Sequence, residues 1–321
     1  MFKLSWKKLT FCVAGIVALF WLGLYAFLYL PELPREQMEA EYGNEFSHYF
    51  ELPGGGKGHY QEWGKPDGYP LILLHGSNAS YHTWLYWAEY LMQDYRLIVP
   101  DLPAHGLTGA VPGYRYQLED FIDFIDRLAE DAGVARFALV GNSLGGYLAS
   151  RYALAEPEKV TELILLAPAG APLPEGYQYP IAFEVMEYPW LATVLAPLNT
   201  EYIYRDALAR SFADKSRVTE EMVQRFMDLN RMEGTREATR TRWQIPLNTD
   251  VSQLSDLKMP VLLLWGQQDG MLPVEMADRF YQSIPGVKMT IYLDAGHMPQ
   301  EELPRQSARA IKQFIEAHRE H

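Results

Sequence analysis

One segment constrains this chain more than any other: residues 137–155 read FALVGNSLGGYLASRYALA. Apolar residues of strand type run into Gly141-Asn142-Ser143-Leu144-Gly145, and a helical pattern follows at once. A strand that turns directly into a helix leaves no room for side chains on either side of the turn, which accounts for glycine at 141 and 145. It also holds Ser143 in a strained conformation at the carboxyl end of its strand. Turns of this kind belong to parallel sheets covered by helices. The rest of the chain agrees. Strand-type runs are expected at 46–52, 59–63, 71–74, 96–99, 137–140, 163–166, 261–265 and 288–292, with helices at 81–92, 117–132, 144–155, 273–283 and 306–317. The expected class is therefore α/β, a mostly parallel eight-stranded sheet flanked by helices.

The alternation breaks once. Between Pro168 and Pro260 lies far more chain than a crossover needs, so a mostly helical insertion is expected at 171–250. Its aromatics include Tyr177, Tyr179, Phe183, Tyr188, Trp190, Tyr202 and Tyr204, which either wall a pocket or fasten the insertion to the body. Its arginines, including Arg205, Arg210, Arg236, Arg240 and Arg242, alternate with acids and read as a solvated face, with a carboxylate-binding arginine as the sharper alternative.

The N-terminus reads differently. From Leu9 to Leu30, 22 residues carry no charge, enough for a helix to cross a hydrocarbon layer of ~30 Å. Lys3, Lys7 and Lys8 precede the run and Glu32, Arg35, Glu36, Glu39 and Glu41 follow it. A retained signal anchor at 1–30 is expected, single-pass, with the N-terminus cytoplasmic and the remainder extracytoplasmic or periplasmic. A signal peptide and a buried core helix are the alternatives. Residues 31–45, rich in Glu and Pro, read as a linker, leaving 46–170 and 251–321 as the body. The 321-residue chain has a net charge of −13, which argues against nucleic acid as a partner. Its one cysteine, Cys12, lies in the apolar run, so neither an intrachain disulfide nor a thiol nucleophile in the body is available. No set of His, Asp and Glu has metal-ligand spacing, and neither metal nor cofactor is expected.

A serine nucleophile needs an oriented base. Eight histidines compete: His48, His59, His75, His82, His105, His297, His318 and His321. His297 follows the last expected strand in Asp294-Ala295-Gly296-His297, which brings it to the same sheet edge as Ser143. Asp269 ends the preceding strand in the same way and can accept its Nδ1 proton; Asp294 is the rival. His75 and His105 read as neutral ring residues bonding nearby backbone, Asp101 as the holder of its own turn, and Glu301 and Glu302 as favourable charges at the start of the last helix.

Five ordered motifs now stand together: Leu-Leu-His75-Gly76-Ser77-Asn78, Val99-Pro100-Asp101-Leu102-Pro103-Ala104-His105-Gly106, Gly141-Asn142-Ser143-Leu144-Gly145-Gly146, Trp265-Gly266-Gln267-Gln268-Asp269 and Gly296-His297-Met298-Pro299. Over residues 46–319 the chain resembles the α/β-hydrolase family, serine hydrolase branch. The resemblance implies a Ser143–His297–Asp269 triad, an oxyanion hole from the backbone N–H groups of Ser77 and Leu144, and 171–250 as a helical cap over Ser143. It excludes branches with an aspartate nucleophile. The layout is similar to membrane-anchored monoacylglycerol lipases, which implies a small-molecule or lipid ester substrate cleaved through an acyl-enzyme. Gly-Asn-Ser-Leu-Gly-Gly is also similar to hydrolases that cleave carbon–carbon bonds in aromatic ring-fission products, although their glycine-richer oxyanion loop is not matched at 75–80. An inactive, membrane-tethered binding scaffold is the alternative of another class.

Overall fold

The computed structural model describes residues 6–319 except 179 and 248, so Lys3, Tyr179 and His321 lie outside the described residues. Eight strands form one sheet: β1 (Ser47–Leu52), β2 (Gly56–Gly64), β3 (Tyr69–Leu74), β4 (Tyr95–Asp101), β5 (Phe137–Asn142), β6 (Val160–Leu166), β7 (Val261–Gly266) and β8 (Lys288–Tyr292). Their order is β1-β2-β4-β3-β5-β6-β7-β8, with β1–β2 and β2–β4 antiparallel and the other pairs parallel.

The helices are α1 (Trp6–Leu28), α2 (Arg35–Tyr42), α3 (Leu85–Leu91), α4 (Leu118–Asp131), α5 (Leu144–Ala155), α6 (Ile181–Met186), α7 (Pro189–Leu195), α8 (Glu201–Ser211), α9 (Glu220–Arg231), α10 (Thr235–Arg242), α11 (Glu275–Ser283), α12 (Pro299–Glu302) and α13 (Pro304–Arg319). Both faces of the sheet are covered, which is why its central strands are apolar without interruption. In β3, Ile72 and Leu74 pack with Phe121 and Phe124 of α4, while Leu71 and Leu73 pack on the other face with Trp87 of α3 and Ile311 of α13. In β7, Val261, Leu263 and Trp265 join the first core and Leu262 and Leu264 the second.

Strand order reverses at β3, whose neighbours are β4 on one side and β5 on the other. Open α/β sheets bind ligands at the carboxyl edge beside such a switch point. The loops that leave β3 and β5 begin with His75 and Ser143, so the topology puts both at that edge.

Helices α6 to α10 all lie between β6 and β7. Among the described residues one helix, within Thr10–Leu28, is long and apolar enough to cross a membrane. The chain leaving it is strapped to the insertion: Asn199 N–H donates to Leu28 O at 2.6 Å, Leu30 N–H to Pro197 O at 2.7 Å and the Arg236 guanidinium to Leu30 O at 2.8 Å. The stretch read as a linker carries α2. Its Met38 is buried with Leu107, Leu229 and Met232, and Arg35 donates to Leu107 O at 2.6 Å and Thr108 O at 2.9 Å.

Candidate active site

Ser143 sits between β5 and α5 with φ 55° and ψ −116°. Few L-residues adopt such a conformation without neighbours that impose it. Here Ser143 N–H continues the ladder to Leu166 O at 3.0 Å, and its carbonyl accepts from Tyr147 N–H and Ala169 N–H, each at 3.0 Å. A Cβ at Gly141 would lie 2.2 Å from Gly145 O, and one at Gly145 would lie 2.2 Å from Leu74 O. Both contacts are with backbone that has nowhere to move. As the first helical residue, Leu144 has an N–H without an intrahelical acceptor.

His297 and Asp269 come together after β8 and β7. His297 Nδ1 lies 2.7 Å from Asp269 Oδ2, and since a carboxylate only accepts, Nδ1–H is the donor. In the neutral ring this leaves the Nε2 lone pair free. The other oxygen of Asp269, Oδ1, accepts from Met271 N–H and Leu272 N–H, both at 2.8 Å. With three hydrogen bonds and 8% exposure, the carboxylate has one orientation available. Asp294, the rival, is exposed.

No hydrogen bond joins Ser143 and His297 among the described residues, but both open onto the same space. Together with Ser77 they line two adjoining cavities. The larger takes in about 1300 Å³, open solvent included, and is walled by Val185, Met186, Leu195, Ile203 and Leu208 from the insertion. The smaller, about 880 Å³, lies against Leu173, Ile245 and Leu272. Gly76 keeps the Ser77 loop close: a Cβ there would be 3.2 Å from that of Ser143.

The rings read as structural are so. Leu102 N–H donates to His75 Nε2 at 3.0 Å, which puts the proton on Nδ1, and that nitrogen donates to Gly76 O at 2.8 Å. Burial lowers the His75 pKa, so the ring is neutral. His105 Nδ1 bonds Pro103 O at 2.9 Å, and burial lowers its pKa too. Asp101 accepts from Tyr81 N–H and Leu107 N–H, and from His59 at 2.8 Å, a partner the sequence did not indicate. Burial pushes Asp101 up, but its partners, the hydrogen bond from His59 foremost and that from Leu107 N–H among them, outweigh it and hold the carboxyl below its ordinary value.

Three expectations need correction. Glu301 and Glu302 close the short α12 rather than open the last helix, α13. Glu302 accepts from Gly296 N–H at 2.6 Å and Ala213 N–H at 2.8 Å, bracing the turn before His297 against the end of α8. Of the insertion's aromatics, Tyr204, Phe226 and Trp243 line the larger cavity beside aliphatic side chains, while Tyr188, Trp190 and Tyr202 are exposed. The arginines do pair with acids, Arg205 with Glu201 and Glu220 and Arg210 with Asp206, but Arg242 is fully buried.

One positioning residue escaped the sequence altogether. Asn142, between the glycine and the serine of the turn, donates from Nδ2 to Leu166 O and His297 O, both at 3.1 Å. It ties the serine turn to the histidine loop. Nothing in the five-residue pattern distinguishes that position.

Comparison with known proteins places the chain. The alpha/beta hydrolase fold family model matches residues 69–304. A 2-hydroxy-6-oxo-2,4-heptadienoate hydrolase of Pseudomonas putida is 26% identical over 78% of this chain and 90% of its own. Monoacylglycerol lipase abhd6-B of Xenopus laevis is 26% identical over 80% of this chain and 78% of its own. Among solved structures, a membrane phospholipase A superposes with TM-score 0.69 at 23% identity, covering 98% of this chain and 97% of that one. A meta-cleavage product hydrolase of Pseudomonas fluorescens IP01 gives TM-score 0.72 at 24% identity over 85% of this chain and 99% of its own. With the family match spanning most of its length, the chain belongs to the alpha/beta hydrolase fold family.

Proposed function

We propose that this protein is a membrane-anchored serine hydrolase of carboxylic esters with apolar, lipid-like acyl groups. The observation that carries this reading is the meeting of two cavities at Ser143 and His297, the larger presenting mostly apolar surface. An ester has two arms that diverge from its carbonyl, and a cavity on each side of the nucleophile suits one arm each.

In this mechanism Ser143 Oγ attacks the ester carbonyl as His297 Nε2 takes its proton. Asp269 holds the tautomer and stabilises the imidazolium. The backbone N–H groups of Ser77 and Leu144 hold the oxyanion, and removing one such donor typically costs ~10²–10³ in kcat. The imidazolium then protonates the leaving alcohol. Water, deprotonated by His297, attacks the acyl-enzyme and restores the serine. Residues 1–30 serve as anchor, N-terminus in the cytoplasm, and 171–250 as the cap.

Arg236 and Arg240 line the larger cavity and favour a second reading, an anionic substrate such as a ring-fission dienoate cleaved at carbon–carbon. A panel of p-nitrophenyl esters, a monoacylglycerol and one such dienoate decides. The ester reading expects kcat/KM to rise with acyl length and to exceed the dienoate's by roughly a hundredfold or more. Preference for the dienoate overturns it, and activity that survives Ser143→Ala overturns both.

A further inference from the structure

Arg242 ends α10 with 0% exposure. Its Nη1 donates to Ser77 Oγ at 3.4 Å, and its guanidinium carbon lies 4.8 Å from the ring centroid of Trp243. Nε and Nη2 have no hydrogen-bond partner, and no carboxylate pairs with the group among the described residues. Burial lowers its pKa to about 10, which still leaves it charged at neutral pH. An unneutralised buried cation is costly, and cations in such positions are ordinarily paired. An exception calls for an account of what the charge acts on.

The surroundings narrow that account. Arg242 lines neither cavity, whereas Ser77, which it touches, and Trp243, which it covers, line both. Its charge also opposes protonation of His75 and His105, the two rings beneath the loop after β3. The guanidinium therefore stands behind the Ser77 loop, on the side away from substrate.

We propose that Arg242 is a positioning residue for the hydrolytic step. Through the Ser77 hydroxyl it holds the Ser77 N–H toward the oxyanion, and it adds positive potential where negative charge gathers in the transition state. This rests on the oxyanion assignment made above. The effect grows with charge on the oxyanion, so it lowers the barrier and leaves substrate affinity alone.

The test uses the purified full chain, p-nitrophenyl butyrate, and butylboronic acid, whose adduct with Ser143 is tetrahedral and anionic. Arg242→Met is expected to lower kcat by ~10²-fold, to leave KM within about twofold, and to weaken the boronate by a factor comparable to the loss in kcat. Arg242→Lys, which restores a charge without the fork, is expected to recover roughly tenfold of that loss. A kcat for Arg242→Met within about threefold of the parent's overturns the proposal, as does a kcat loss with no weakening of the boronate. Should a thermal melt show that Arg242→Met does not fold, Ser77→Ala decides, since it keeps the N–H and removes the contact. A roughly tenfold fall in both kcat and boronate affinity supports the proposal, and no change overturns it. Ser143→Ala run alongside separates the two claims: if it is inactive while Arg242→Met is unimpaired, the proposal alone fails; if it retains turnover, the hydrolytic reading fails and takes the proposal with it.

Discussion

Replacing Asp269 by Asn changes one atom and, by the geometry of this site, reverses one hydrogen bond. Asp269 Oδ1 accepts from two backbone N–H groups, at Met271 and Leu272, and both are fixed in the loop after β7. The Asn carbonyl oxygen must take that place, because its NH₂ there would face two donors and cost about 1–3 kcal/mol for each unmade bond. The NH₂ then occupies the Oδ2 position, 2.7 Å from His297 Nδ1. It can only donate. His297 Nδ1 is forced to accept, its proton moves to Nε2, and the nitrogen proposed to deprotonate Ser143 is no longer a base. Wrong-tautomer variants of this kind lose about 10⁴ in kcat, about 5 kcal/mol of barrier. The loop keeps its hydrogen bonds, so the melting temperature falls by only a few degrees, about 2–4 °C per kcal/mol in a protein of this size. Initial rates with p-nitrophenyl butyrate and a thermal melt check both. A kcat above about a tenth of the parent's in a well-folded Asp269→Asn would falsify the assignment of Asp269 as the partner that sets the tautomer.

Two further predictions concern stability. Glu301 is buried, with Thr83 Oγ1 donating to it at 2.5 Å, and burial pushes its carboxyl up to about 7. Its folded pKa thus exceeds an unfolded value of about 4.3, so the unfolded chain ionises first as pH rises and stability declines between about pH 4 and pH 7. Glu301→Gln removes that slope. Its stability should gain on the parent's from pH 4 to pH 8, by about 4 kcal/mol at most, and a difference that does not vary with pH contradicts the burial of a neutral acid. Gly145→Ala would gain about 1 kcal/mol of helix propensity, but its Cβ would meet Leu74 O at 2.2 Å and His75 O at 2.6 Å. Sterics win, and a net loss of about 2 kcal/mol, or about 4–8 °C in Tm, is expected together with loss of turnover; an unchanged melt and rate would show that the turn is not as tight as described.

What the sequence revealed and what it hid follow from where the ordering forces lie. The central strands were legible because helices bury both faces, so Leu71-Ile72-Leu73-Leu74 is apolar throughout. The ends of α5 were legible because a glycine-flanked turn starts it. The observed β2 and β4 run longer than their apolar stretches, since His59, Gln61 and Asp101 are buried in the sheet by pairing with one another and with Ser47 rather than by apolarity. Helix α2, REQMEAEY, has almost no apolar period; what orders it is Met38 and the bonds of Arg35 to carbonyls some seventy residues away. Residues 81–84 start as a 3₁₀ turn before α3, a distinction that helical periodicity does not register. Arg242 lies in TREATRTR, which reads as a solvated helix and is buried only because the insertion packs onto the loop after β3. Asn142 and Glu302 owe their roles to carbonyl and amide groups brought near by the fold, and side-chain type alone does not announce that.

The central claim is that Ser143 becomes covalently acylated during turnover. The direct measurement is an acid quench of the full chain during turnover of a p-nitrophenyl ester, followed by intact mass and peptide mapping. The account predicts one acyl group per chain on the peptide containing Ser143, formed in step with a burst of p-nitrophenol and absent from Ser143→Ala. An adduct on another residue, or turnover with no adduct and no burst under conditions where deacylation is slow, would contradict it.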